Sequence, residues 1–123
     1  MKIILASKSN VRKQILEKNN ISSEVVVSNI DEDEAKKSLL MEGATPLIIS
    51  KNLAELKSIK VSRQNPDRLV LGADSVVSLD NKLINKPRSR EEALEILRKL
   101  NNSKHYLISS VCISKNGAMI WNH

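Results

Sequence analysis

The chain of 123 residues has no phenylalanine, one Tyr, one Trp, one Cys, three Gly and three Pro. Each scarcity removes a class of protein. Non-specific single-strand binders stack bases on aromatic side chains, so the near absence of aromatics argues against nucleic acid as a partner. Any core must be aliphatic. One cysteine, Cys112, leaves no intrachain disulfide and no cysteine-based zinc site; its Ser-Val-Cys-Ile-Ser setting reads as strand interior. The few glycines do not compose a P-loop or a Rossmann turn. No apolar run approaches transmembrane length, and the run at residues 3–6 is too short for a signal peptide before polar Ser7 follows. A cytoplasmic protein with no membrane partner is expected.

What is present is a 41% apolar chain, enough to build a core, at a length that suits one domain over residues 1–123. Twenty Lys and Arg stand against 14 Asp and Glu, a net charge of +6. That surplus is spread along the chain. It fits an anionic partner such as a phosphate-bearing small molecule, and equally a basic solvated surface.

Residues 3–6 read as a buried strand, followed by a polar turn in which Ser9 or Asn10 can cap a helix over 11–19. Val11, Ile15 and Leu16 fall on one side of that helix. A strand, a short polar loop and a helix N-terminus together present free backbone N–H groups to an anion. A second strand is expected at 24–27. The acids Asp31, Glu32, Asp33 and Glu34 then precede a helical segment at 35–41. They read either as dipole partners of its first turn or as a carboxylate metal site. Thr45-Pro46 starts a helix to about residue 61, with Leu53, Leu56 and Lys60 as helix neighbours. On helix pattern alone Lys51, Lys57 and Lys60 read as solvated lysines.

The stretch around Gly72-Ala73-Asp74 organises the rest. Apolar, β-favouring runs flank an acid that sits where a buried strand would continue, and an ionised carboxylate there needs a partner or a cation. A turn acid between two strands and a functional carboxylate both fit. A hairpin follows, 75–79 with 82–84 around Asp80-Asn81. Pro87 biases Lys86 toward extended backbone at the strand end. Ser89 and Glu92 form a capping box for a helix to about residue 100, with Ala93, Leu94, Leu97 and Leu100 as its apolar face. Strands are expected at 106–114 and from 118. Alternation followed by hairpins predicts an α/β domain, a mixed sheet flanked by helices.

Several segments together resemble the Maf family, the septum formation inhibitor-like proteins. Leu5-Ala6-Ser7-Lys8-Ser9-Asn10-Val11-Arg12 is similar to its opening signature and Ile30-Asp31-Glu32 to its acidic motif. Leu53-Ala54-Glu55-Leu56-Lys57 resembles its helix motif, Gly72-Ala73-Asp74-Ser75-Val76-Val77 its central signature, and Lys86-Pro87 its lysine–proline pair. The segment 97–105, with Leu100 and His105, also matches. Order and spacing hold along the whole chain, which makes the combination specific.

The resemblance implies a fold akin to the inosine triphosphate pyrophosphatases. It also implies a nucleoside triphosphate pyrophosphatase, dependent on a divalent cation such as Mg²⁺, that removes non-standard or excess nucleotides. It makes Asp74 the catalytic acid that activates water and gives Glu32, with Asp74, to the metal. Ser9, Arg12, Lys57 and Lys86 would line the triphosphate site, and Ser75 stands at a position tied to base preference. Such cations suit the charge that develops on leaving pyrophosphate. The chain departs from the family pattern at Asn10-Val11, where an arginine is absent, and at Ser75, where Thr or Gln is usual. It also stops where family members continue into a second lobe. The expectation is therefore a hairpin left incomplete after residue 118, with an exposed edge, reduced activity, and a homodimer as one way to cover the surface. A catalytically impaired nucleotide- or nucleic-acid-binding module is the competing reading.

Overall fold

The computed structural model describes residues 2–101 and 103–123. In chain order the elements are β1 (Ile3–Leu5), α1 (Asn10–Lys18), β2 (Ser23–Val25), α2 (Glu32–Met41), α3 (Pro46–Gln64) and β3 (Val70–Leu79). β4 (Lys82–Ile84), α4 (Arg90–Leu100), β5 (His105–Lys115) and β6 (Ala118–Asn122) follow. One sheet runs β2-β1-β3-β5-β6, with β4 also paired to β3. β1 is parallel to β2 and β3, and the other pairings are antiparallel. The mixed α/β sheet expected from the sequence is present.

Local chemistry sets most boundaries. Ser9 caps α1, its hydroxyl accepting from the Arg12 N–H at 3.2 Å. Thr45 caps α3 and Pro46 takes the first helical position. Asp80 and Asn81 both have positive φ, 51° and 60°, as a tight hairpin turn demands. Ser89 caps α4 at 3.1 Å, but Glu92 returns to the Arg88 N–H rather than to that of Ser89.

α3 is the helix of the core. Ile49, Leu53, Ala54 and Val61 on it are buried, as are Ile4, Leu5, Val70, Val76 and Cys112 on the sheet, so the core is aliphatic as composition requires. A row of serines lets α3 sit close to β5. Ser50 pairs with Ser110 at 2.6 Å and Ser58 with Ser114 at 2.7 Å, while Ser62 accepts from the Gly117 N–H at 2.9 Å. Burial of these hydroxyls is tolerated because each is hydrogen-bonded, to a facing serine or to backbone groups. Gly72 completes the approach: a Cβ there would lie 2.3 Å from the Ala54 carbonyl oxygen.

Two expectations are corrected and a third holds in part. Residues 69–77 are not two strands around a turn; β3 runs unbroken through Asp74, which is buried. The apolar stripes of α1 and α4 are not covered: Val11, Ile15, Leu94 and Leu97 are exposed, and neither helix buries a residue. Spacing specifies a stripe but not what lies against it. The last hairpin is partial: β6 pairs with β5 through a register shift at Ile113/Ser114 as far as His123, which exchanges both backbone bonds with Val111, and among the described residues nothing pairs with residues 105–110 of β5 on that side. β6 is an exposed edge, with Ile120 and Trp121 open to solvent.

Candidate active site

β1 is short, and that shortness creates the site. Its pairing with β3 covers only Ile4 with Val70 and Leu5 with Leu71, and the Ala6 N–H makes the last bond, to the Leu71 carbonyl at 2.9 Å. Between that bond and β4, which pairs with β3 from Val77 onward, the edge of β3 is open. The Ala73 carbonyl, two residues on and so directed to the same side, takes cations instead of a strand. Arg12 Nη1 donates to it at 3.2 Å and Lys57 Nζ at 3.3 Å.

The strand order places this opening at a switch point. From β1 the chain crosses one way to β2 and then back to β3, and crossovers of one hand in opposite directions put their helices on opposite faces. The contacts agree: Asp74 meets Lys57 of α3, and the next residue, Ser75, meets Arg12 of α1. In open α/β sheets the crevice at such a point, past the carboxyl ends of the strands, is where ligands bind.

A cavity of about 460 Å³ occupies that crevice. All seven residues expected from the sequence line it: Ser9, Arg12, Glu32, Lys57, Asp74, Ser75 and Lys86. Arg12 is held by Ser7 Oγ at 3.0 Å and Ser75 Oγ at 3.3 Å besides the Ala73 carbonyl. Ser75 pairs in turn with Ser109 across the sheet at 2.8 Å. Of the four acids at 31–34, Asp31 caps α2 by accepting from the Glu34 N–H, and only Glu32 faces the cavity. Glu32, Asp33 and Glu34 stand in the first turn of α2, as the dipole reading expects, and among the described residues the acids do not form a cluster of metal ligands.

Lys57 overturns its reading as a solvated helix lysine. It is buried, and its ammonium bonds Glu32 Oε1, Asp74 Oδ1 at 3.2 Å and the Ala73 carbonyl. Lys60, one turn on, donates to the Asn29 carbonyl at 3.1 Å and ties down the loop before α2. Sequence reasoning missed Ser7, Lys8, Asn29 and Lys36 among the lining residues. Lys36 had a signal: it stands four residues after Glu32 on one helix, and such residues share a face.

The two carboxylates respond to this setting in opposite directions. Burial pushes the Asp74 carboxyl above the ordinary aspartate range; the Lys57 charge and hydrogen bond pull it back without prevailing, and Glu32 pushes it further up. Burial also raises Glu32, but there the hydrogen bond and charge of Lys57, with the charges of Lys36 and Lys86, outweigh it and the carboxyl sits low. One lysine serves both. Exposure decides the difference, since the Asp74 side chain is 10% exposed and that of Glu32 38%.

Asp74 Oδ2 is buried and has no hydrogen-bond partner. Five cationic side chains, Lys8, Arg12, Lys36, Lys57 and Lys86, face the cavity with two carboxylates. An anion with several charges matches that surplus. Among the described residues no three His, Cys, Asp or Glu side chains gather around a metal-sized space. A cation bound to Glu32 and Asp74 would need its remaining ligands from water or from the anion, the habit of Mg²⁺.

The chain is thus an α/β protein with a cationic crevice and a buried, unpartnered carboxylate oxygen at the switch point of its sheet. More narrowly, the chain belongs to the Maf-like protein family, whose model matches residues 2–123. It is 63% identical over 121 residues to a nucleoside triphosphate pyrophosphatase of Pelagibacter ubique (strain HTCC1062), covering 98% of this chain and 62% of that protein. A nucleoside triphosphate pyrophosphatase of Ruegeria pomeroyi is 39% identical over 121 residues, 98% of this chain and 61% of that one. A 7-methyl-GTP pyrophosphatase of Brucella abortus biovar 1 is 36% identical over all 123 residues, 62% of its own length. The chain thus spans about three-fifths of the length of these relatives.

Proposed function

We propose that the protein hydrolyses nucleoside triphosphates to nucleoside monophosphates and pyrophosphate. The observation that carries this reading is the pairing of Asp74, buried with one oxygen unpartnered, with five cations around a single crevice. The names of the relatives support the same substrate class.

Glu32 and Asp74 would hold a divalent cation, Mg²⁺ by the donor set, and when bound it supplies positive charge to phosphate oxygens. The residues of the chain do the rest. Asp74 accepts the proton of a water whose oxygen forms the new bond to the α-phosphorus. The bond from that phosphorus to the bridging oxygen breaks, and pyrophosphate leaves with the electron pair. Lys36 and Lys86, which have no carboxylate within salt-bridge distance among the described residues, are free to meet the phosphates. Arg12 offers a planar fork suited to phosphate oxygens, aimed by Ser7 and Ser75. The α1 N-terminus adds backbone donors beside it.

The reading assigns the protein to the cytoplasm, with a second copy of the chain as a partner along the exposed β6 edge. Incubation with each nucleoside triphosphate and Mg²⁺ tests it. Equal amounts of monophosphate and pyrophosphate are expected for at least one base, and nucleotide binding without either product would favour a binding module instead.

A further inference from the structure

One oxygen of each carboxylate that would hold a divalent cation already holds a cation of the protein's own. The Lys57 ammonium has three donors, and three oxygens take them: Glu32 Oε1, Asp74 Oδ1 at 3.2 Å and the Ala73 carbonyl at 3.3 Å. The side chains of Lys57 and Asp74 are each 10% exposed, so water offers the ammonium little competition. Removing either charge alone would strand the other in a poorly solvated place. One of the two negative charges is therefore balanced, and both carboxylates are oriented, with no metal present.

A divalent cation on Glu32 and Asp74 would lie within a few ångströms of that ammonium. Two positive charges so close in a half-buried cleft repel strongly. The lysine head must withdraw for the metal to bind well, and its four-carbon stem allows this while α3 stays packed between Leu53 and Val61. It needs somewhere to go. The neighbouring Ala73 carbonyl is already shared with Arg12, and the crevice is lined by no carboxylate besides the two that the metal would take. A polyphosphate would supply the missing acceptors.

We propose that Lys57 is the resident counter-ion of the cation site. It stands between Glu32 and Asp74 in the nucleotide-free protein, excludes divalent metal, and gives way when a polyphosphate offers its ammonium new oxygens. The metal then enters with the nucleotide rather than before it. This rests on the triphosphate reading of the crevice, but it is tested without turnover.

The probe is Mn²⁺ alone, with free ion counted by electron paramagnetic resonance in the absence of nucleotide. Lys57→Gln is expected to bind Mn²⁺ at least tenfold more tightly than wild type, and adding Glu32→Gln to that variant should abolish the gain. The melting temperature of Lys57→Gln should rise with Mn²⁺, while that of wild type stays put. Micromolar binding by wild type, or no gain in Lys57→Gln, overturns the proposal. If Lys57→Gln is unfolded without metal, folding on addition of Mn²⁺ supports it and failure to fold with Mn²⁺ counts against it. Pyrophosphate release by wild type is read separately. A chain inactive on every nucleotide would sink the proposed function and leave the binding result standing.

Discussion

Asp74 has to be ionised to take a proton, yet burial holds its carboxyl above the usual aspartate range. The acid limb of the kcat/KM profile, which reports the free enzyme, should therefore lie above about 3.9, the unperturbed value. The same shift has a sign in stability. A raised folded pKa adds stability that is full below the unfolded pKa and lost as pH rises through the folded one. Glu32, lowered, does the reverse: its contribution is present above the unfolded value and fades as pH falls through the folded one. Urea denaturation of metal-free wild type and the variants Asp74→Asn and Glu32→Gln from pH 3 upward reads both, using the slope of each difference. With rising pH wild type should lose ground to Asp74→Asn and gain on Glu32→Gln; slopes of one sign would contradict the assignment. Arg12→Ala should weaken triphosphate binding by about 1.5–3 kcal/mol, one lost charge-assisted contact, and monophosphate binding far less. Equal losses in calorimetry would deny it a polyphosphate role. The acid and Arg12 were legible because an acid inside an apolar strand and a cation in a first helical turn are visible locally. Lys57 was legible only through the family resemblance: its helix pattern is that of any solvated lysine, and only the fold brings two carboxylates to it.

Among the elements, α3 carries the most. Its distance from β3 depends on Gly72, where an added Cβ meets the Ala54 carbonyl oxygen at 2.3 Å and Ser58 atoms at 2.8 and 2.9 Å. Backbone cannot yield without moving the helix, so Gly72→Ala should cost about 1–3 kcal/mol and displace Lys57 from Asp74. Thermal unfolding should show a midpoint several degrees lower, with turnover reduced; an unchanged midpoint would mean that α3 sits further out. α2 gives a second prediction. Lys36 faces the cavity and its neighbour Lys37 does not, so Lys36→Ala should weaken tripolyphosphate binding about tenfold, the effect of roughly 1.4 kcal/mol, and Lys37→Ala should leave it unchanged. Matching losses would reduce Lys36 to general surface charge. Element type and order were readable from caps, turn residues and period. The close seat of α3 was not, because Ser50, Ser58 and Ser62 are polar and their partners across the interface, on β5 and in the turn after it, come from far along the chain.

Across the whole molecule, apolar exposure is uneven. Leu94 and Leu97 on α4, Tyr106 and Leu107 on β5, and Ile120 and Trp121 on β6 are all exposed, and β6 offers unpaired backbone along its outer side. Edges of that kind pair with further chains. Light scattering of the 123-residue chain should reveal self-association at micromolar concentration, reduced by Ile120→Lys; a monodisperse monomer would refute it. The sheet itself was legible as a mixed α/β arrangement, but the crevice was not, since it arises from where β1 stops pairing with β3.

The central claim is that the buried acid at that crevice drives the chemistry. The measurement is pyrophosphate release by wild type and by Asp74→Asn, with Mg²⁺ and a nucleoside triphosphate at concentrations shown by calorimetry to give equal occupancy. Asparagine keeps the shape and removes the base. Release should fall to background in Asp74→Asn while the nucleotide still binds. Release by Asp74→Asn at the wild-type rate would contradict the account.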